Sequence, residues 1–383
     1  MRPITPYVIP LLLAACGGSP ANPPTPPTPQ ASAAPCVCAC DSASAAAPAP
    51  SATVAGATPQ PPIGHEKPIV TPTIPTRTLQ IVQTINVGKW PEGLALSGQT
   101  VWVAESGQRQ LAKIDLQKGV LVTHANVGRL PVDMLTGPDD SVYALERTEQ
   151  VVRLVNTKGV MHEFSRLPDY PQGMALENDA LWVLLWDEGS SGNSTVVRID
   201  LKTKKQKRSP KLGPNAWQIA EGFDSVWVGH ETRISVLDKS TLQKKADISL
   251  IDAIPAENSQ KRTEFGRVAV GPRGVYGDYD LSVVRIDPQK MAITQRKRLG
   301  QLPLYMVVMP NDLWVATREG SIWQLDPETL AVRAEHKSSK PLDFHDLKFR
   351  DGLFYVTEHP GPEARTEDGW LRILKPDIVV GGQ

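Results

Sequence analysis

Ten side chains in this sequence carry the groups that hold divalent cations or move protons. They are Glu92, Glu105, Asp133, Glu146, His230, Asp278, His345, Asp346, Glu358 and His359. Carboxylate oxygens suit hard cations such as magnesium or calcium, and imidazole beside carboxylate makes an acid–base pair. No local motif joins them, so none is assigned a catalytic role. They form one site only if distant segments bring them together. Glu92, Asp133, His345 and Asp346 stand just before or at the start of short apolar runs. The other six stand just after runs centred on an aromatic residue.

Those aromatic runs are the repeat that organises the chain. Val101-Trp102-Val103 returns as Val142-Tyr143-Ala144, Leu181-Trp182-Val183, Val226-Trp227-Val228, Val275-Tyr276-Gly277, Leu313-Trp314-Val315 and Phe354-Tyr355-Val356. A period of about forty residues, built from short strands between turn residues, predicts propeller blades of four strands. The innermost strands read Leu94-Ala95-Leu96 and its counterparts, small or apolar because they crowd the axis. The third strands end in Asp115, Asp200, Asp238, Asp287 and Asp326. A carboxylate there can bond the amides of the following turn, which makes this column structural. The aromatic column is read as filler between neighbouring blades and not as a stacking platform.

The expected fold is therefore all-β: a seven-bladed propeller at residues 79–376, followed by a tail at 377–383. Residues 79–87 read as a strand with no blade of their own. They are assigned as the outer strand of blade seven, closing the ring. In such a ring the outer-to-inner connections and the second-to-third-strand connections share one rim. That rim would gather the ten acids and histidines as a candidate ligand or metal ring. The long connections at 186–195, 251–265 and 359–369 fall on the same side, as a binding face would.

The N-terminus is of a different kind. Arg2, the apolar core around Leu11-Leu12-Leu13 and the small residues before Cys16 have the layout of a secretory signal at 1–15. Leu13-Ala14-Ala15-Cys16 resembles the bacterial lipobox, which implies cleavage before Cys16 and its lipidation. Gly17 in place of Asp favours the outer membrane in that pattern. Residues 16–78 are rich in Pro and Ala and cannot build a core, so they read as a disordered tether. It would span ~45 Å as a coil. Cys36, Cys38 and Cys40 lie in it; with Cys16 acylated, an odd thiol stays free or pairs between chains.

Forty-one basic and forty-one acidic side chains leave no net charge, which excludes a nucleic-acid surface as partner. Basic runs at Lys202 to Lys211 and Arg296 to Arg298 read as guards on exposed outer strands.

The alternation of Gly-Leu-Ala-Leu, Val-Trp-Val and Lys/Arg-x-Asp units resembles YVTN-type propellers and the streptogramin (virginiamycin B) lyase-like propellers. Gly137-Pro138-Asp139-Asp140 and Gly271-Pro272-Arg273-Gly274 resemble the Gly-Pro-Asp-Gly turn of the latter. That resemblance implies the propeller fold and, for its lyases, a His/Glu site with magnesium. The favoured expectation is a membrane-anchored, non-catalytic binding or scaffolding module of the cell envelope, taking a protein or glycan partner at the long-loop face and demanding no cofactor. The alternative is a metal-assisted lyase or lactonase-type hydrolase using the His/carboxylate ring, with magnesium or calcium.

Overall fold

The computed structural model describes residues 74–177, 179–187, 192–251, 266–359 and 367–377. The signal, Cys16, the tether up to residue 73 with Cys36, Cys38 and Cys40, the tail from 378 and much of the three long connections lie outside the described residues; the last residues assigned to the tether, Thr76 to Thr78, are instead strand.

The chain enters on β1 (Thr76–Lys89) and then lays down meanders of antiparallel strands. Blade one is β2 (Pro91–Ser97), β3 (Thr100–Glu105), β4 (Gln110–Asp115) and β5 (Val120–Asn126). Blade two is β6 (Pro131–Thr136), β7 (Val142–Glu146), β8 (Val151–Val155) and β9 (Met161–Arg166). Blade three is β10 (Tyr170–Glu177), β11 (Ala180–Trp186), β12 (Ser194–Asp200) and β13 (Gln206–Arg208). Blade four is β14 (Ala216–Gly222), β15 (Ser225–His230), β16 (Arg233–Asp238) and β17 (Lys244–Ser249). Blade five is β18 (Val268–Gly271), β19 (Gly274–Tyr279), β20 (Ser282–Asp287) and β21 (Ala292–Arg298). Blade six is β22 (Pro303–Val308), β23 (Leu313–Thr317), β24 (Ser321–Leu325) and β25 (Val332–Lys337). Blade seven has β26 (Asp346–Arg350), β27 (Leu353–Glu358) and β28 (Asp368–Pro376).

Its fourth strand is β1. From Leu79 to Lys89 it runs antiparallel to β28, with Ile85 opposite Leu371. The ring therefore closes as the unassigned N-terminal strand predicts. One feature was not foreseen: Thr76 to Thr78 pair in parallel with Glu335 to Lys337 of β25. This splice joins blades six and seven into one eight-stranded sheet.

The core is a set of seams between blades. Trp102 packs with Met134 and Val142 of the next blade, Tyr143 with Leu181 and Val183, and Trp182 with Ile219 and Val226. Trp227, Tyr276, Trp314 and Tyr355 repeat this around the ring. All seven rings are buried, so each fills a gap between sheets and contributes ~1.5–3 kcal/mol of burial.

The third-strand aspartates do what a turn carboxylate should. Asp115 accepts the amides of Gln117 and Lys118, and Asp238 those of Ser240 and Thr241. Asp200, Asp287 and Asp326 repeat the geometry. The first basic run departs from expectation. Lys202, Lys204 and Lys205 occupy the turn after Asp200, leaving Lys207 and Arg208 in β13. The second run lies in outer strand β21 as expected. Among the described residues, no helix is long and apolar enough to cross a membrane.

Candidate functional site

Outer-to-inner connections and second-to-third connections do meet at one end of the axis. They enclose a cavity of about 540 Å³. Of the ten candidate residues, Glu92, Asp133, His345 and Asp346 line it. His359 abuts it, its ring 3.7 Å centroid to centroid from that of His345.

Glu105, Glu146, His230, Asp278 and Glu358 do not line the cavity. Each is buried and spent on backbone that enters or leaves its blade. Glu105 accepts the amide of Gly88 at 2.6 Å, Glu146 those of Leu130, Thr148 and Glu149, and Asp278 that of Arg267. Glu358 accepts the amide of Asp343 and pairs with Arg372. His230 bonds the carbonyl of Pro214 through Nδ1 and the hydroxyl of Ser235 through Nε2. The reason is positional. The second strand lies one inter-strand spacing, about 4.8 Å, further from the axis than the first. A side chain at its end reaches the incoming connection instead of the channel. The ring of ten is thus corrected to a mouth group and a set of connector clips.

The mouth carboxylates have structural work too. Asp133 takes the amide of Met134 on Oδ1 and that of Met174, in the next blade, on Oδ2, both at 2.8 Å. Asp346 takes Leu347 at 2.7 Å and, across the ring closure, Leu94 of blade one at 2.8 Å. Gln218 does the same for Val268, and the Tyr305 hydroxyl donates to the carbonyl of His345. One column of side chains therefore pins the next blade at four places around the ring, while Gly93 and Gly173 stand at the same position in blades one and three.

Four cations share the mouth: Arg147, Arg267, Arg318 and Lys348. None of them is among the ten candidates read from the sequence. Arg147 and Arg318 fall one residue beyond their aromatic strands, and Lys348 lies two residues past Asp346, hence on the same side of the strand. That period of two was the available signal. Lys348 stands 3.3 Å from Asp346. Burial alone would lower the Lys348 pKa, but the nearby carboxylates of Asp346 and Asp133 raise it on balance. Burial raises the Asp133 carboxyl to about 6, against the pull of Lys348. Burial also raises Glu92, partly offset by His345 and Arg147. The mouth therefore carries basic groups beside its carboxylates.

Aromatic surface completes the mouth. Trp186 and Trp217 meet edge to face at 4.8 Å, with the Trp186 indole N–H bonded to the carbonyl of Ala216. Arg267 lies over the Tyr305 ring at 4.8 Å. One tighter cluster stands at the rim. Ligand atoms of Asp343, His345 and His359 lie within 4.8 Å of one another, and the hydrogen bond from His345 holds the Asp343 carboxyl below its usual range. At the opposite end the axis is apolar, with Leu96, Leu135, Val270, Val307 and Phe349 around about 430 Å³.

A solved structure described as "Streptogramin B lyase structure" superposes with a TM-score of 0.60 at 13% identity, covering 77% of this chain and 98% of the other. The likeness shows the fold alone. No family model matches the chain, and no curated protein matches it.

Proposed function

We propose that this propeller is a non-catalytic binding module, anchored through Cys16 in the cell envelope, that takes a polar partner at the channel mouth. The observation that carries the reading is the employment of the acids. Asp133 and Asp346 already direct both oxygens to backbone amides, and Lys348 pairs with Asp346. A general base or a metal ligand needs a lone pair aimed at substrate or ion, and here one lone pair of every oxygen is already turned to a backbone amide. What the mouth offers instead is balanced charge beside indole rings, which suits a protein loop or a glycan of mixed polarity. Titration with peptide and oligosaccharide panels, followed by tryptophan fluorescence, tests this. Trp217→Ala with Arg147→Ala should abolish binding while the melt is retained. Cys16→Ser should release the protein from the membrane fraction.

A second reading rests on the Asp343–His345–His359 cluster. Two imidazoles and a carboxylate fit a divalent ion, which would polarise a substrate carbonyl as a Lewis acid. That is the metal-assisted lyase alternative, and the similar solved structure is described as a streptogramin B lyase. Incubation with a streptogramin B depsipeptide and magnesium decides between the two. The binding module leaves the ring intact. A linearised product that disappears in His345→Ala would replace it with the lyase.

A further inference from the structure

The basic run of blade three is left without the role expected of it. A lysine guards a sheet when it stands on the edge strand, but Lys202, Lys204 and Lys205 stand in the turn before β13. Sibling turns balance such a charge with their own aspartate. Lys118 pairs with Asp115, Lys245 with Asp238 and Lys290 with Asp287, at 3.4 to 3.6 Å. In blade three Lys202, Lys204, Lys205 and Lys207 are all exposed. Among the described residues, no carboxylate forms an ion pair with any of the four. The patch runs on into the neighbouring blades. Lys204 lies over the Phe164 ring of blade two at 3.3 Å, and the Lys207 ammonium donates to the carbonyl of Ser240 in the matching turn of blade four. The amide of Lys239, beside Ser240, donates to the carbonyl of Asp224, and the adjacent Phe223 is 43% exposed. Val160, in the matching turn of blade two, is 59% exposed.

Lysines beside exposed apolar side chains suit the surface of an anionic bilayer. There the ammonium meets lipid phosphate, and the apolar group enters the headgroup layer. The path of the chain points to the same surface. Read upstream from Thr78 to Thr76, β1 follows β25 from Lys337 back to Glu335. β25 starts at the turn after Asp326. The chain that precedes the propeller therefore heads for the end of the axis where the third-to-fourth-strand turns lie. That end bears the patch and lies opposite the mouth. We propose that the turn end of blades three and four rests on the anionic bilayer in which the chain is anchored, so that the mouth faces away from the membrane. The anchoring itself rests on the reading given above. A tether holds the patch at a high local concentration of lipid, so a weak contact suffices.

Co-sedimentation with vesicles tests the contact apart from the anchor, using the mature chain from residue 16 with Cys16→Ser under reducing conditions. Binding to vesicles of phosphatidylglycerol and phosphatidylcholine is expected at low ionic strength, with loss in high salt. Lys202→Glu with Lys205→Glu should weaken it at least ~10-fold, with the melt unchanged. If that pair fails to fold, Lys202→Gln with Lys205→Gln reads out in the same direction. Phe223→Ala should weaken binding to the vesicles and leave binding to soluble dextran sulfate as it was. A parent that ignores anionic vesicles overturns the proposal, and so does equal binding to phosphatidylcholine alone. Vesicle binding that survives loss of the two lysines overturns it as well. If Phe223→Ala leaves vesicle binding intact, the patch reads charge alone and a soluble polyanion replaces the bilayer as its partner. Cys16 is absent throughout, so none of these outcomes bears on its lipidation, which the membrane fractionation above tests separately.

Discussion

Two populations of aspartate do the same hydrogen bonding at opposite ends of the blades, and they titrate in opposite directions. At the outer turns Asp115, Asp200, Asp238 and Asp287 sit in solvent. Turn amides hold their carboxyls below the usual range, with Asp238 at about 2. At Asp326 slight burial works against this, and the amide and hydroxyl of Thr329 still bring the carboxyl down. Asp133 at the mouth and Asp278 in its connector clip also accept amides, yet burial lifts them to about 6 and about 7. Two amide donors outweigh the loss of a little water and do not outweigh the loss of nearly all of it. The outer set stabilises turns at a desolvation cost that its hydrogen bonds outweigh. The buried pair carries a larger cost, Asp133 in fixing the next blade and Asp278 in clipping the connection into its own.

The strongest test of this contrast is Asp346→Ala. It leaves the amides of Leu94 and Leu347 and the Lys348 ammonium without their partner, so a loss of ~3–5 kcal/mol is expected in urea unfolding. A cost near zero would break the idea that the inner ring is structural. Next comes the seam between β25 and β1, where burial lowers His336 to about 4. The unfolded chain then binds the extra proton between pH ~6.5 and ~4, so stability falls as pH drops through that window. His336→Phe should remove about 2 kcal/mol of this acid loss, seen as a flatter melt profile.

Asp278 has the opposite sign. Its folded pKa lies above the unfolded value, so its contribution is complete below pH ~4 and is lost as pH rises through about 7. Asp278→Asn keeps an acceptor oxygen for Arg267. It should gain on the order of 1–2 kcal/mol over the parent at pH 8 relative to pH 4. A parallel pair of melt profiles would count against burial as the cause. The smallest effect belongs to Asp287→Ala at an outer turn. Its melt should move down slightly at neutral pH, and the difference should vanish as pH falls below the turn carboxyl's depressed pKa.

The repeat made the architecture readable because burial imposes it. Trp or Tyr in second place, small inner strands and a closing Asp are each demanded by a seam, an axis or a turn, and each recurs. The closing strand was readable for the same reason: blade seven lacked an edge and residues 79–87 lacked a sheet. The site was half legible. Glu92, Asp133, His345 and Asp346 were found because the inner strand touches the axis directly. Glu105 and Glu146 misled because equal spacing along the chain does not report distance from the axis. Arg147 and Arg318 were missed because they follow the repeat by one residue, where the apolar pattern has ended, and their long side chains still reach the mouth.

The closure by β1 also sets the order in which this molecule can become whole. Thr84 bonds Arg372, so the first strand made must wait for nearly the last. Such distant contacts are slow to form, and until then an apolar β-branched segment stands unpaired. Pro68, Pro72 and Pro75 lie immediately upstream of β1. Proline interrupts the backbone ladder that aggregation needs, so these residues act as gatekeepers beside the waiting strand. Blades one to six have all their own strands as soon as they leave the ribosome, whereas the seventh borrows its edge from the chain's beginning. A chain truncated near residue 370 would therefore fail at both ends of its sequence at once.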